Sequence, residues 1–159
     1  MNWDEVCEHK SLQDLPFRIE LNRWGQVVLS PITNRHSFLL AQLNSHLHEL
    51  AGGHTLVICP IHTADNVKVA DVAWFSAERY EKVSKENVCS IAPEICVEVM
   101  APGNSLKEMT QRKDLFFDKG ALEFWLCAEN GGMSFYNQDG KISGSHLVPG
   151  FPAQINPTE

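Results

Sequence analysis

Apolar and polar residues first alternate at 17–21, where Phe17, Ile19 and Leu21 fall on one side and Arg18 and Glu20 on the other. A period of two is that of a half-exposed strand, and it puts Arg18 and Glu20 together on one face, read as solvated in preference to a site role for Glu20. Asn22-Arg23-Trp24-Gly25 has the composition of a turn, and 26–30 returns as the hairpin partner. The period then changes. From Asn34, the residues Phe38, Leu39, Leu43, Leu47 and Leu50 recur at mostly three- and four-residue spacing. That spacing predicts an amphipathic core helix, capped by Thr33 or Asn34 and ended by Gly52-Gly53. Three β-like runs follow at 54–61, 66–75 and 93–100. Ser105-Leu106-Lys107-Glu108 has the S-x-x-E form of a capping box; it opens a helix that passes Met109, Arg112, Lys113 and Phe116 and stops at Gly120. A strand at 123–127 completes a strand–helix–strand unit, whose two strands should lie parallel. Asn130-Gly131-Gly132 and Asp139-Gly140 turn the chain on either side of an antiparallel strand at 133–136. Residues 1–15 read as a short helix or arm, and the tail, with Pro149, Pro152 and Pro157, as an extended path over the surface. The expected fold is α/β, a mixed central sheet flanked by helices.

Two acids interrupt this pattern. In Ile95-Cys96-Val97-Glu98-Val99-Met100 the β-branched residues share one face, so Glu98 projects from the other with Glu94, Cys96 and Met100. Burying an unpaired neutral polar group costs roughly 2–7 kcal/mol and an ionised carboxylate more, so Glu98 needs a strong partner. Asp71 sits in a similar setting within 66–75. If their strands are neighbours and the acids level, the carboxylates converge, and a divalent cation would remove their repulsion. Mg²⁺ is held by one or two carboxylates, waters and phosphate oxygens. That is the chemistry of phosphodiester hydrolysis, in which the metal polarises the phosphoryl group and activates a water. Arg112 and Lys113, on the helix after Glu98, are the cations available to steady charge on phosphate. The same residues also suit a structural role: Asp71 capping a turn, Glu98 paired with Arg112 or Lys113, and Arg112-Lys113-Asp114 as a solvated helix face.

Composition narrows the class. With 159 residues, 43% of them hydrophobic, the chain can bury one core, so 1–159 is read as a single domain. A net charge of −7 argues against generic binding to phosphate backbone, and leaves nucleic-acid contact to local patches or a dimer. No run approaches the roughly 18 apolar residues of a membrane span. The opening Met1-Asn2-Trp3-Asp4-Glu5 lacks a basic-then-apolar signal, so a cytoplasmic protein is expected. Cys7, Cys59, Cys89, Cys96 and Cys127 are odd in number and form no CxxC pair, as suits reduced core thiols. His46 and His48 are two apart and face different sides of a helix, and His36 with nearby Asn34 is no better, so zinc is not expected.

Three stretches carry a family resemblance: 66–80 (Asn66-Val67-Lys68-Val69-Ala70-Asp71 through Ser76-Ala77-Glu78-Arg79-Tyr80), 92–105 around Glu98, and 112–126 from Arg112-Lys113-Asp114 to Leu126. In this order, with Pro149-Gly150-Phe151 near the end, they resemble the Uma family (Uma-two type), restriction-endonuclease-like members of the PD-(D/E)XK nuclease superfamily. The resemblance runs from about Phe17 to Phe151. It implies a restriction-endonuclease-like core with Asp71 and Glu98 as the motif acids, and the Val99 carbonyl facing a Mg²⁺ or Mn²⁺ ion. By analogy it also implies a homodimer acting on DNA. Ala70 replaces the proline before Asp71, Met100 stands where the superfamily usually has lysine, and Arg112 occupies the position of the family's helix lysine, with Lys113 one residue later. Arginine stabilises phosphate but is a poor proton acceptor, and the adjacent residue points about 100° away on a helix.

Two functions follow. One is a Mg²⁺-dependent DNA endonuclease, supported by the acid pair and the basic helix. The other is a catalytically weak or inactive nuclease-fold module for binding or assembly, supported by the acidic charge, the replaced lysine and the small size.

Overall fold

In the computed structural model, which describes residues 1–155, a short helix α1 (Trp3–Glu8) and a 3-10 turn precede a two-stranded hairpin, β1 (Phe17–Leu21) and β2 (Val27–Pro31). Helix α2 (Asn34–Ala51) begins at Thr33, whose side chain accepts from the His36 N–H, and ends at Gly52, whose φ of 65° a side chain would resist. Strands β3 (His54–Thr63) and β4 (Asn66–Phe75) follow, then a short helix α3 (Ala77–Val83) capped by Ser76, which the apolar periodicity does not mark. Strand β5 (Ile95–Val99), helix α4 (Leu106–Asp118) and strand β6 (Glu123–Cys127) form the parallel unit, and β7 (Met133–Asn137) and β8 (Gly140–Ile142) finish the chain of elements. Ser105 caps α4 as the capping box predicts.

The six-stranded sheet runs β3-β4-β5-β6-β7-β8, antiparallel except for β5–β6. Its mixed character and flanking helices match the expected class. Leu39, Leu43 and Leu47 of α2 bury one face against Val72, Val97 and Trp125, while Met109 and Phe116 of α4 bury the other against Ala73, Cys96 and Phe124. Each such side chain contributes roughly 1.5–3 kcal/mol. All five cysteines are free, and four are buried. Among the described residues, no helix is long and apolar enough to cross a membrane.

Two expectations are corrected. The tail is not only a surface path: Pro149, Gly150, Ala153 and Gln154 are exposed, but Val148, Phe151 and Ile155 are buried in the α2-side core, and the Phe151 ring sits 4.5 Å from that of Trp125. The apolar residues between the prolines close the core there; Pro157 lies outside the described residues. Nor do Arg18 and Glu20 face solvent. The β1–β2 hairpin does not extend the sheet but lies over β4, held by Val6, Leu21 and Val67, so the polar face of β1 is pressed inward and Glu20 is 4% exposed.

Candidate active site

Strands β4 and β5 pair from Trp74↔Ile95 to Val72↔Val97 and then part. One further step of that register would set Asp71 opposite Glu98. Instead the Asp71 side chain spans the opening, and its Oδ2 accepts the Val99 N–H at 2.8 Å. The gap between the strands is thus closed by side chains, and the acids that define it are fully buried.

Arg18, reaching down from β1, donates from one nitrogen, Nη1, to Asp71 Oδ1 at 2.9 Å and to Glu98 Oε2 at 3.3 Å. Both acids therefore project to one place, as their spacing along separate strands allowed. Arg112, from α4, grips Glu98 Oε1 through Nε at 3.2 Å and Nη2 at 2.8 Å. The same guanidinium makes a two-pronged contact with Glu20, at 3.0 and 2.8 Å, and donates to the Val69 carbonyl at 3.0 Å. Glu20 Oε2 in turn accepts the Val69 N–H at 2.6 Å. The amide groups of Val69 thus have side-chain partners, which satisfies β4 where it has left β5. His36, in the first turn of α2, completes the cluster with Nε2 3.2 Å from Asp71 Oδ1.

Of the residues marked out in the sequence, Asp71, Glu98, Arg112 and Val99 are brought together. Lys113 is not: its amine lies 5.2 Å from the Tyr136 ring centre and 3.9 Å from Asp114, on another side of α4. The 100° step between neighbouring helix positions separates it from Arg112. Three further residues join them, Arg18, Glu20 and His36. Arg18 and Glu20 were legible as a same-face pair on β1 but not as buried, because nothing in the hairpin's own period says what lies beneath it. His36 extends the Leu39–Leu43–Leu47 stripe of α2 back by one turn, and that signal could have found it.

The electrostatics divide the acids. Burial alone would raise Asp71, but the His36 hydrogen bond, the Arg18 charge and the Val99 N–H outweigh it and hold the carboxyl below its ordinary range. Glu20 is likewise held low, because Arg112, Arg18 and the Val69 N–H overcome its burial. Glu98 goes the other way. Its burial, with the nearby charges of Asp71 and Glu20, pushes it up to about 7 despite Arg112 and Arg18. The His36 imidazole is raised by its hydrogen bond to Asp71.

The donor set suits a hard divalent ion: carboxylate oxygens on two strands, with a third acid, Glu20, beside them. The described residues hold no group of three His, Cys, Asp or Glu side chains gathered as a metal cage. The arrangement fits an ion that keeps waters and shares its ligands with a substrate, rather than an all-protein site. All four oxygens of Asp71 and Glu98 already accept hydrogen bonds, and Arg18 Nη1 is the donor the two acids share. The residues fit the ion provided Arg18 gives way.

The fold matches the crystal structure of "a putative nuclease belonging to DUF820" from Anabaena variabilis ATCC 29413 with a TM-score of 0.72 over 96% of this chain and 94% of that one, at 15% sequence identity. A search of curated proteins gives no significant match. The family model named Uma2 and described as "Putative restriction endonuclease" matches residues 6–155, and the chain belongs to that family.

Proposed function

We propose that the protein is a Mg²⁺- or Mn²⁺-dependent DNA endonuclease that hydrolyses phosphodiester bonds at the Asp71–Glu98 site. The observation that carries this reading is that one nitrogen of Arg18 is bonded to both carboxylates, which come from separate strands of the sheet. When bound, the ion supplies Lewis acidity at phosphorus and a water of lowered pKa. The chain's own residues do the rest. Asp71, held ionised by His36 and Val99, and Glu98 offer oxygen ligands. The Val99 carbonyl is a candidate third ligand, because in an extended strand it points to the same edge as the N–H that meets Asp71. Arg112 stays charged and, fixed by Glu20, holds Glu98 in place beside the scissile phosphate. Arg18, once off the acids, is free to meet phosphate oxygens. A homodimer would supply two such sites, one for each DNA strand.

A specific observation favours a second reading, a nuclease-fold module without turnover: two guanidinium groups already pair with Asp71, Glu98 and Glu20. Incubation with supercoiled plasmid and Mn²⁺ separates the two. Nicking that is lost in Glu98→Gln and Asp71→Asn supports the endonuclease. No nicking with either ion, or nicking at the wild-type rate in both variants, supports the module.

A further inference from the structure

A cavity of about 600 Å³ opens beside the acids, with Asp71, Arg18 and His36 on its floor. This is within the roughly 300–1,000 Å³ typical of small-molecule sites. Its walls are mainly apolar, and three of them, Leu29, Ile32 and Ile58, are more than 40% exposed, an unusual clustering of solvated aliphatic side chains at a polar site. Ile58 also holds a left-handed backbone (φ 55°) on β3, next to Asp71 across the strand pair, where a β-branched residue is strained.

The cations here are poorly suited to tracking a duplex. Arg112 is committed to Glu20 and Glu98, which leaves Arg18 alone to meet phosphate once it is off the acids, and the chain carries a net charge of −7. Affinity for continuous duplex draws on Lys and Arg facing successive phosphates. An unpaired base adds a contact that a stacked one cannot make, since enzymes that take a base out of the stack hold it between apolar side chains with polar groups at its edge, and this cavity pairs apolar walls with His36, Ser30 and Asn104.

We propose that this cavity receives the base of an unpaired nucleotide whose phosphate lies at Asp71 and Glu98, so that the DNA taken by the site is single-stranded or locally opened. The proposal rests on the phosphodiester reading above, and its test is kept apart from cleavage. The probes are a 20-nucleotide strand carrying 2-aminopurine, alone and annealed to its full complement, titrated with the whole protein in buffer containing Ca²⁺. The expected result is at least tenfold tighter binding of the single strand, with a change in 2-aminopurine emission. Ser37→Trp, from an exposed position of α2 on the cavity wall, and Leu29→Asp, from an exposed position of β2, should each weaken single-strand binding about tenfold and leave the melting temperature unchanged. Equal binding of strand and duplex, or no binding of either, overturns the proposal, as does wild-type affinity in both variants. If plasmid is nicked while strand preference is missing, the base site fails and the nuclease reading stands. If strand preference is present and no divalent ion supports nicking, the reverse holds.

Discussion

Glu98 and Glu123 lie on adjacent, parallel strands of one sheet, each flanked by apolar residues and each almost without solvent contact. In sequence they are nearly the same event, an acid in a hydrophobic run. Their surroundings are opposites. Glu123 accepts from the Trp125 indole at 2.8 Å, the Ser145 hydroxyl at 2.6 Å and the backbone N–H groups of His146 and Leu147 at 2.9 Å. These four partners are uncharged and fixed, and together they pin the loop that carries Val148 and Phe151 into the core. Glu98 is held by two guanidinium groups on long side chains from other elements, one of which also reaches Asp71. A carboxylate built into a neutral network is a fastening, whereas under the proposed function one held partly by Arg18 beside a second acid would exchange that cation for a metal ion. Burial does not separate the two; the charge of the partners does.

Breaking Glu123 should have the largest effect. Glu123→Leu leaves an indole N–H, a hydroxyl and two backbone donors unpaired, and a loss of about 3–5 kcal/mol is expected, read as a lower midpoint in chemical denaturation. Mn²⁺ binding by the fraction that remains folded should be unchanged. The second effect concerns Arg18. Arg18→Met removes the cation shared by Asp71 and Glu98, so in EDTA the variant should be less stable than wild type, by about 3 kcal/mol. Added Mg²⁺ should restore more of its melting temperature than it adds to wild type, because the ion no longer competes with a guanidinium. Equal Mg²⁺ responses would contradict the view that Arg18 stands in the ion's place.

Smaller effects sharpen the contrast. Arg112→Lys retains charge but cannot hold Glu20 with two parallel hydrogen bonds, and about 1–3 kcal/mol should be lost in thermal melts. A gain in plasmid nicking by this variant would show that the position has drifted from lysine. The pH dependence gives the last test. Glu98 titrates near 7 in the fold and near 4.5 when unfolded, so between these values the native state binds more protons and its stability falls as pH rises. Asp71 and Glu20, held low, act oppositely and in a lower window, losing their contribution as pH drops through their folded values. Glu98→Gln removes only the first component. Its melting temperature should therefore shift in its favour, relative to wild type, on going from pH 5 to pH 8.

Much of the fold was legible because local periods match local structure. The two-residue alternation of 17–21, the leucine spacing of α2 and the capping box at Ser105 each depend on neighbours a turn or a hairpin away. The site was legible only in part, because it is assembled from residues far apart in the chain. The acids were visible as exceptions to an apolar pattern. Arg18 and Glu20 were not, since whether the polar face of β1 meets water or β4 is decided by the Val6–Leu21–Val67 contact, which no strand period encodes. Lys113 and Arg112 are equivalent in sequence and are separated only by the rotation of α4. The tail misled for the opposite reason: its prolines suggested an exposed path, while Phe151 and Ile155 carry the burial that decides it.

The account turns on Asp71 and Glu98 sharing one cation site, and calorimetric titration with Mn²⁺ tests this most directly. Wild type should take up one ion per chain, Asp71→Asn and Glu98→Gln should each weaken it by at least tenfold, Arg18→Met should bind more tightly, and Glu123→Gln should bind as wild type does. Binding that is indifferent to Asp71 and Glu98, or no binding in either wild type or Arg18→Met, would contradict it.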